Sequence, residues 1–200
     1  MDKINLENIG KYLICVNALG FLVAWLDFKM NAKSEKGQKA FILTDFLTVT
    51  GGCIGTFLVF LFFDRKLTKE NMTSRVIAVT LSLIESVMVL AVYSPYKVTL
   101  DDVKANMFVM NKYLVYYLLA VNVITFIVFG IDKAKAKAEK ERIKIVTLLG
   151  LSFIGGSIGG LAAMYLFKHK TQKPYFKIGM PLILIAQIFV LGYIRGLGLI

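Results

Sequence analysis

Six stretches of this chain, roughly 11–27, 40–63, 76–93, 113–131, 145–167 and 178–194, stay apolar for about 17–24 residues each. At about 1.5 Å of rise per residue, such a stretch crosses a hydrocarbon core ~30 Å thick. No other feature constrains the fold as strongly. In lipid every backbone N–H and C=O must find a partner within the protein, and a helix is the element that provides this within one segment. The third stretch is interrupted by Thr80, Ser82, Glu85 and Ser86, and the sixth contains Pro181. The expected fold is an all-α polytopic membrane protein with six transmembrane helices. Its mean hydropathy of +0.68 agrees, because a water-facing domain of this size needs more polar surface. The first stretch is too long for a secretory signal and has no small-residue cleavage site before Asp27, so it reads as a retained span.

The net charge of +11 sits mainly in the short connections between spans. Cations there meet lipid headgroups, so the expected partner is a bilayer with anionic headgroups and not a nucleic acid. Cys15 and Cys53 both lie inside spans, and His169 is the single histidine. Neither a disulfide framework nor a metal cluster follows from that set. No phosphate-binding glycine loop and no nucleophile–base pairing is present, so no enzyme, cofactor or metal is expected.

The chain reads as one unit written twice. Tyr12, Leu13, Val16, Asn17, Phe21, Val23 and Asp27 recur 105 residues later as Tyr117, Leu118, Val121, Asn122, Phe126, Val128 and Asp132. Gly51-Gly52-x-Ile54-Gly55 recurs 104 residues later as Gly155-Gly156-x-Ile158-Gly159, and an offset of 102 in the last span sets Gln187 opposite Glu85. The organisation is therefore a first three-helix repeat over 1–94, a linker over 95–112 and a second three-helix repeat over 113–200. Three spans per unit is an odd number, so the second unit begins on the opposite side of the membrane and the repeats are inverted. The 24 Lys and Arg divide almost evenly between the two sides, as oppositely oriented copies would require. The basic loop 132–144 places both termini in the cytoplasm, and the expected location is the bacterial cytoplasmic (inner) membrane.

Glycines define the second and fifth spans. Gly51/Gly55, Gly155/Gly159 and Gly156/Gly160 are GxxxG pairs, and Gly52 lies beside the first. On a straight helix they form a groove where another backbone approaches closely, which predicts helix packing, in the simplest case of the second span on the fifth. The other reading is a re-entrant hairpin broken at the glycines.

The second half, most densely over 113–187, resembles the DUF1294 family of small bacterial integral membrane proteins. The resemblance rests on Asn122, Thr125-Phe126, Gly130-Ile131-Asp132-Lys133, Gly155-Gly156 with Gly159, His169-Lys170-Thr171, Lys173 and Phe176. The family's usual Pro-Glu pair before its second span is replaced here near Lys144-Ile145. The first half looks like a diverged copy, with Asp64-Arg65-Lys66 where the second has Lys168-His169-Lys170. The resemblance implies the membrane class and carries no activity with it.

Candidate functional residues are the polar groups inside spans. A carboxylate near the bilayer centre costs at least ~2.5–3.5 kcal/mol, so Glu85 and Asp45 are expected to be neutral, paired or exposed to a cavity. Asn17, Asn122 and Gln187 complete the candidate substrate or ion pathway; each can equally serve as hydrogen-bonding glue between helices. Arg65, Lys66, Lys168, His169 and Lys170 are expected at lipid headgroups, where cations at a helix C-terminus also suit the macrodipole. The expected function is a small transporter or channel with a site at the interface of the repeats. The alternatives are a non-catalytic scaffold that binds itself or another membrane protein through its glycine faces, and an anionic-lipid-binding protein.

Overall fold

A computed structural model describes residues 6–32, 42–69, 71–94 and 111–197, and every regular element among them is helical. Six helices are long and apolar enough to cross a membrane. Their outward faces are apolar too: Ile14, Leu90, Leu119, Ile158, Leu166 and Ile188 are all exposed. This is the architecture of a multi-pass membrane protein. Contacts divide the chain into two units, Met1–Met88 and Val89–Ile200. The expected linker at 95–112 lies outside the described residues apart from its last two, Asn111 and Lys112.

In the first unit, α1 (Leu6–Ala32) is followed by α2 (Ile42–Leu47) and α3 (Cys53–Phe62), the two halves of one span, and then by α4 (Met72–Tyr93), whose last turn runs past the unit's boundary at Met88. In the second unit, α5 (Lys112–Lys137) is followed by the half-helices α6 (Ile145–Leu151) and α7 (Ser157–Leu166). The short α8 (Pro174–Lys177) and α9 (Gly179–Gly196) then complete it.

The helices outrun the apolar stretches. The first begins at Leu6, where Glu7 and Lys11 pair at 2.6 Å one turn apart. The fourth starts where the Asn111 side chain caps the Tyr113 N–H at 3.0 Å. It runs on to Lys137, and Lys135 and Lys137 in its last turn suit the negative end of the helix dipole. The polar residues of the third span do not break it. Thr80 donates to Val76 O and Ser82 to Val79 O, so each hydroxyl is satisfied by its own helix. Pro181 falls in the first turn of α9, where the missing N–H has no intrahelical partner to lose.

Each unit has a small core. Val59, Phe60, Val76 and Ala78 are buried in the first. In the second, Phe129, Leu148, Met164, Phe176, Met180 and Ile183 are fully buried, with Phe129 and Phe176 edge to face at 5.7 Å.

The glycine spans differ from both expectations. They are not straight, because each is broken over Thr48–Gly52 and Ser152–Gly156. They do not stop at the break either: the chain carries on as α3 to Phe62 and α7 to Leu166, each within one candidate span. The cause is local. Gly51 has φ 111° and Gly155 has φ 127°, a conformation that ends a right-handed helix and that an L side chain rarely adopts. Gly52 and Gly156, with φ near −88° and −87°, start the next half-helix.

Candidate functional site: two capped helix breaks

A broken helix in lipid presents N–H groups at one new end and carbonyls at the other, and each must be satisfied by protein. Both units do this with the same residues at the same spacing. With Gly52 and Gly156 as caps, Gly55 and Gly159 are the third residues of α3 and α7, and their N–H groups have no partner in their own helix. Asn17 Oδ1 accepts from Gly55 N at 2.9 Å, and Asn122 Oδ1 accepts from Gly159 N at 2.7 Å. These are N-caps supplied from a neighbouring helix rather than from the preceding residue. Five residues earlier on the same helices, Tyr12 OH donates to Thr50 O at 2.7 Å and Tyr117 OH to Ile154 O at 2.6 Å.

The caps reach because the backbones nearly touch. A Cβ built on Gly55 would overlap the Asn17 carbonyl, and one on Gly159 the Asn122 carbonyl. One on Gly52 would lie 2.8 Å from Val16 O, and one on Gly156 would overlap the Thr125 hydroxyl. The groove of each glycine span is therefore filled by the first helix of its own unit. Gly51 and Gly155 serve backbone conformation, while Gly52, Gly55, Gly156 and Gly159 serve close approach. Gly160 faces Met180, whose Cε would stand 2.5 Å from an added Cβ.

The third helix of each unit completes the break, and here the units diverge. In the second unit Gln187 Nε2 donates to Ser152 O at 2.6 Å and Phe153 O at 3.0 Å, and its Oε1 accepts from the Ser157 hydroxyl. Asn122 Nδ2 donates to Leu118 O at 2.8 Å and Gly155 O at 2.9 Å. In the first unit a carboxylate, Glu85, stands where Gln187 does, and a thiol, Cys53, stands where Ser157 does. Cys53 Sγ donates to Glu85 Oε2, and Asn17 Nδ2 donates to Leu13 O at 3.0 Å and Glu85 Oε1 at 2.7 Å. Glu85 is 8% exposed and Cys53 3%. Asp45 stands apart from this group: it is half-buried on α2, beside Ser74. Its neighbour Thr44 donates to Asp27.

A second polar cluster lies where α7 ends. Lys168 adopts φ 47° there, which lets His169 N close on Met164 O at 3.0 Å and Lys168 N on Tyr165 O at 3.2 Å. The turn swings the following side chains inward. His169 Nε2 and Lys170 Nζ each lie 2.7 Å from Asp132 Oδ2, and Asp132 Oδ1 accepts from Ile143 N at 2.9 Å. The Asp132 side chain is fully buried, and Lys170 also lies 5.0 Å above the Phe176 ring. His169 and Lys170, expected at lipid headgroups, instead have their side-chain nitrogens directed at a buried carboxylate. Burial holds the Lys170 ammonium below the usual lysine range, although Asp132 pulls the other way. Lys168, Arg65 and Lys66 are exposed. The first unit closes the same corner with other residues: Arg75 pairs with Asp64 at 3.2 Å, and Asn71 Nδ2 donates to Asp64 Oδ2 at 3.0 Å.

Among the described residues, no group of three or more His, Cys, Asp or Glu side chains could hold a metal ion. Tyr12, Tyr117, Cys53 and Ser157 were not singled out as site residues from sequence, although the tyrosines stand in the repeat itself.

Residues 122–176 match the family described as "Protein of unknown function (DUF1294)". That stretch runs from the Asn122 cap through the break to the Asp132–His169–Lys170 cluster and Phe176. Uncharacterized protein YsdA of Bacillus subtilis (strain 168) is 37% identical over 76 residues, which span 38% of this chain and 85% of that protein. No solved structure matches the chain. The chain belongs to the DUF1294 family of proteins of unknown function.

Proposed function

We propose that this protein is a small transporter or channel of the bacterial cytoplasmic membrane, and that the two broken spans are its working parts. The observation that carries this reading is the pair of helix breaks whose backbone groups are held by side chains from other helices. Discontinuous membrane helices of this kind recur at the substrate and ion sites of secondary transporters. A structural helix gains nothing from a break that needs three helices to satisfy it, since an unbroken one satisfies itself. The odd number of spans per unit, read from the sequence, supports the inverted-repeat arrangement on which alternating access relies.

The experiment is flux through the purified protein in proteoliposomes. Vesicles holding a pH- or cation-sensitive dye are challenged with proton, sodium and potassium gradients and, separately, with libraries of small solutes. The expected result is a flux that empty vesicles lack and that Gly155→Ala abolishes. Absence of flux for every gradient and solute, with protein correctly folded, sinks the proposal.

The alternative of a scaffold that binds through its glycine faces has less support, because those faces are occupied within each unit. Of the five cations expected at headgroups, the exposed Arg65, Lys66 and Lys168 still support a lipid-binding role.

A further inference from the structure

The two breaks are the same construction with different chemistry at one corner, and the difference lies in groups that can take a proton. An amide nitrogen has two hydrogens to give. Asn122 Nδ2 gives one to Leu118 O and the other to Gly155 O, at the glycine that makes the break. Asn17 Nδ2 gives one to Leu13 O, and its other goes to Glu85 Oε1 at 2.7 Å. That second hydrogen therefore goes to the break in the second unit and to a carboxylate in the first.

We propose that Glu85, Cys53 and Asn17 form a proton-binding site, and that the Asn17 amide reports its occupancy to the break at Gly51. The inference rests on the transport reading only for its use. Binding a proton forms an O–H bond on Glu85 and removes its charge; no electrons move, and the proton comes from the aqueous phase. Protonation at Oε1 removes the charge and leaves a weaker acceptor that is itself a donor, which favours transfer of the Asn17 Nδ2 hydrogen to Gly51 O. The second unit displays that neutral arrangement permanently, because Gln187 is an amide and Asn122 rests on Gly155 O. The new carboxylic O–H then has the role of the Gln187 N–H groups, which donate to Ser152 O and Phe153 O.

The surroundings of Glu85 suit a site of variable charge. Helix α1 presents the Asn17 amide, and α3 presents the Cys53 thiol, the titratable group set against it. The charged residue of its own helix, Arg75, is committed to Asp64 almost three turns away. Among the described residues no cation pairs with Glu85, and the carboxylate is held by two neutral donors in a site 8% exposed. A proton removes the cost of burying that charge.

The test reads the site without transport. Protein in phosphatidylcholine/phosphatidylglycerol vesicles is examined by pH-difference infrared spectroscopy. The expected result is a protonated-carboxyl C=O band that grows as pH falls, with the Cys53 S–H stretch shifting at the same midpoint. Glu85→Gln loses the carboxyl band and leaves the S–H stretch constant with pH; Cys53→Ser keeps the carboxyl band. Glu85→Gln carries the residue the second unit already has at Gln187, so it is expected to fold. The double variant Gln187→Glu/Ser157→Cys installs the site in the second unit and should roughly double both titrating signals. Identical titrating bands in wild type and Glu85→Gln overturn the proposal, as does a folded double variant that gains none. A titrating band without flux removes the transport reading and keeps the site; flux without Glu85 titration does the reverse.

Discussion

Alanine placed at three glycines of the fifth span should give three different outcomes. Gly150 lies inside α6, and a Cβ there meets nothing within 4 Å. Gly150→Ala should therefore stabilise by ~0.5–1 kcal/mol, the ordinary gain of Ala over Gly in a helix. At Gly155 the backbone φ of 127° is the obstacle, and such a conformation costs an L residue about 1–3 kcal/mol. The added Cβ would also lie 3.1 Å from both Leu118 Cδ2 and Val121 Cγ1, and a valine in a helix has little rotamer freedom with which to yield. The expected net loss is ~2–3 kcal/mol. At Gly159 the obstacle is backbone, the Asn122 carbonyl. Helices α5 and α7 must part, and the 2.7 Å cap from Gly159 N to Asn122 goes with them. That cap alone is worth about 1 kcal/mol, and with lost packing the cost reaches about 3 kcal/mol or more. The assay is unfolding in mixed detergent micelles titrated with SDS, followed by far-UV circular dichroism, with midpoints compared across variants because two units need not unfold together. The expected order of stability is Gly150→Ala, wild type, Gly155→Ala, Gly159→Ala. A Gly155→Ala protein as stable as wild type would falsify the account of the break, and a Gly150→Ala loss equal to that at Gly159 would refute the account of close approach.

Asn122→Ala removes three hydrogen bonds at once, and at roughly 0.6 kcal/mol for an average membrane side-chain bond it should cost about 2 kcal/mol in the same titration; Asn122→Asp should be no better, since a carboxylate cannot donate to Gly155 O. Asp132→Asn should release the turn after α7, and acylation of Lys170, followed by mass spectrometry, should accelerate several-fold; an unchanged rate would show that Asp132 does not hold it. Lys170 binds its proton less tightly in the folded chain than in the unfolded one. Between the folded value and 10.5 the wild type should therefore gain stability relative to Lys170→Met as pH rises, with no relative change at lower pH. Cysteines placed at Lys137 and Lys173 should be labelled by an impermeant maleimide from opposite sides of the membrane, since the fifth span lies between them; labelling from one side would mean that the span turns back.

The spans were legible because lipid leaves so few options: a run of about 20 apolar residues with no internal partner has to be a helix. Thr80 and Ser82 looked like interruptions only because their bonds to Val76 O and Val79 O are made within the helix and leave no mark on hydropathy. The glycine pairs were found, but their conformation was not. Gly-x-x-x-Gly is the same string whether the first glycine faces a neighbour or reverses the sign of φ, and the groups that hold the break open are 33 to 38 residues away along the chain. Asn17 and Asn122 were recognised as polar anchors, yet which backbone they anchor depends on the crossing point of two helices. The alignment of Gln187 with Glu85 was visible in the repeat. The thiol facing Glu85 was not, because a single cysteine in an apolar span reads as packing. His169 and Lys170 were read outward, as loop cations usually lie. Their inward turn depends on the positive φ of Lys168 and on Asp132, a residue that in sequence stands next to Lys133.

The caps supplied from neighbouring helices have a consequence for biogenesis. A fifth span inserted alone would carry open carbonyls at Ser152, Phe153, Ile154 and Gly155 into lipid. Chain order softens the problem: α5, with Tyr117 and Asn122, leaves the ribosome first and is in the bilayer before the break arrives. Ser152 and Phe153 still wait for Gln187, one span later. The last helix is thus the one that completes the fold, and a ribosome stalled before it would leave a nascent chain with an unsealed segment for the insertion machinery to shelter.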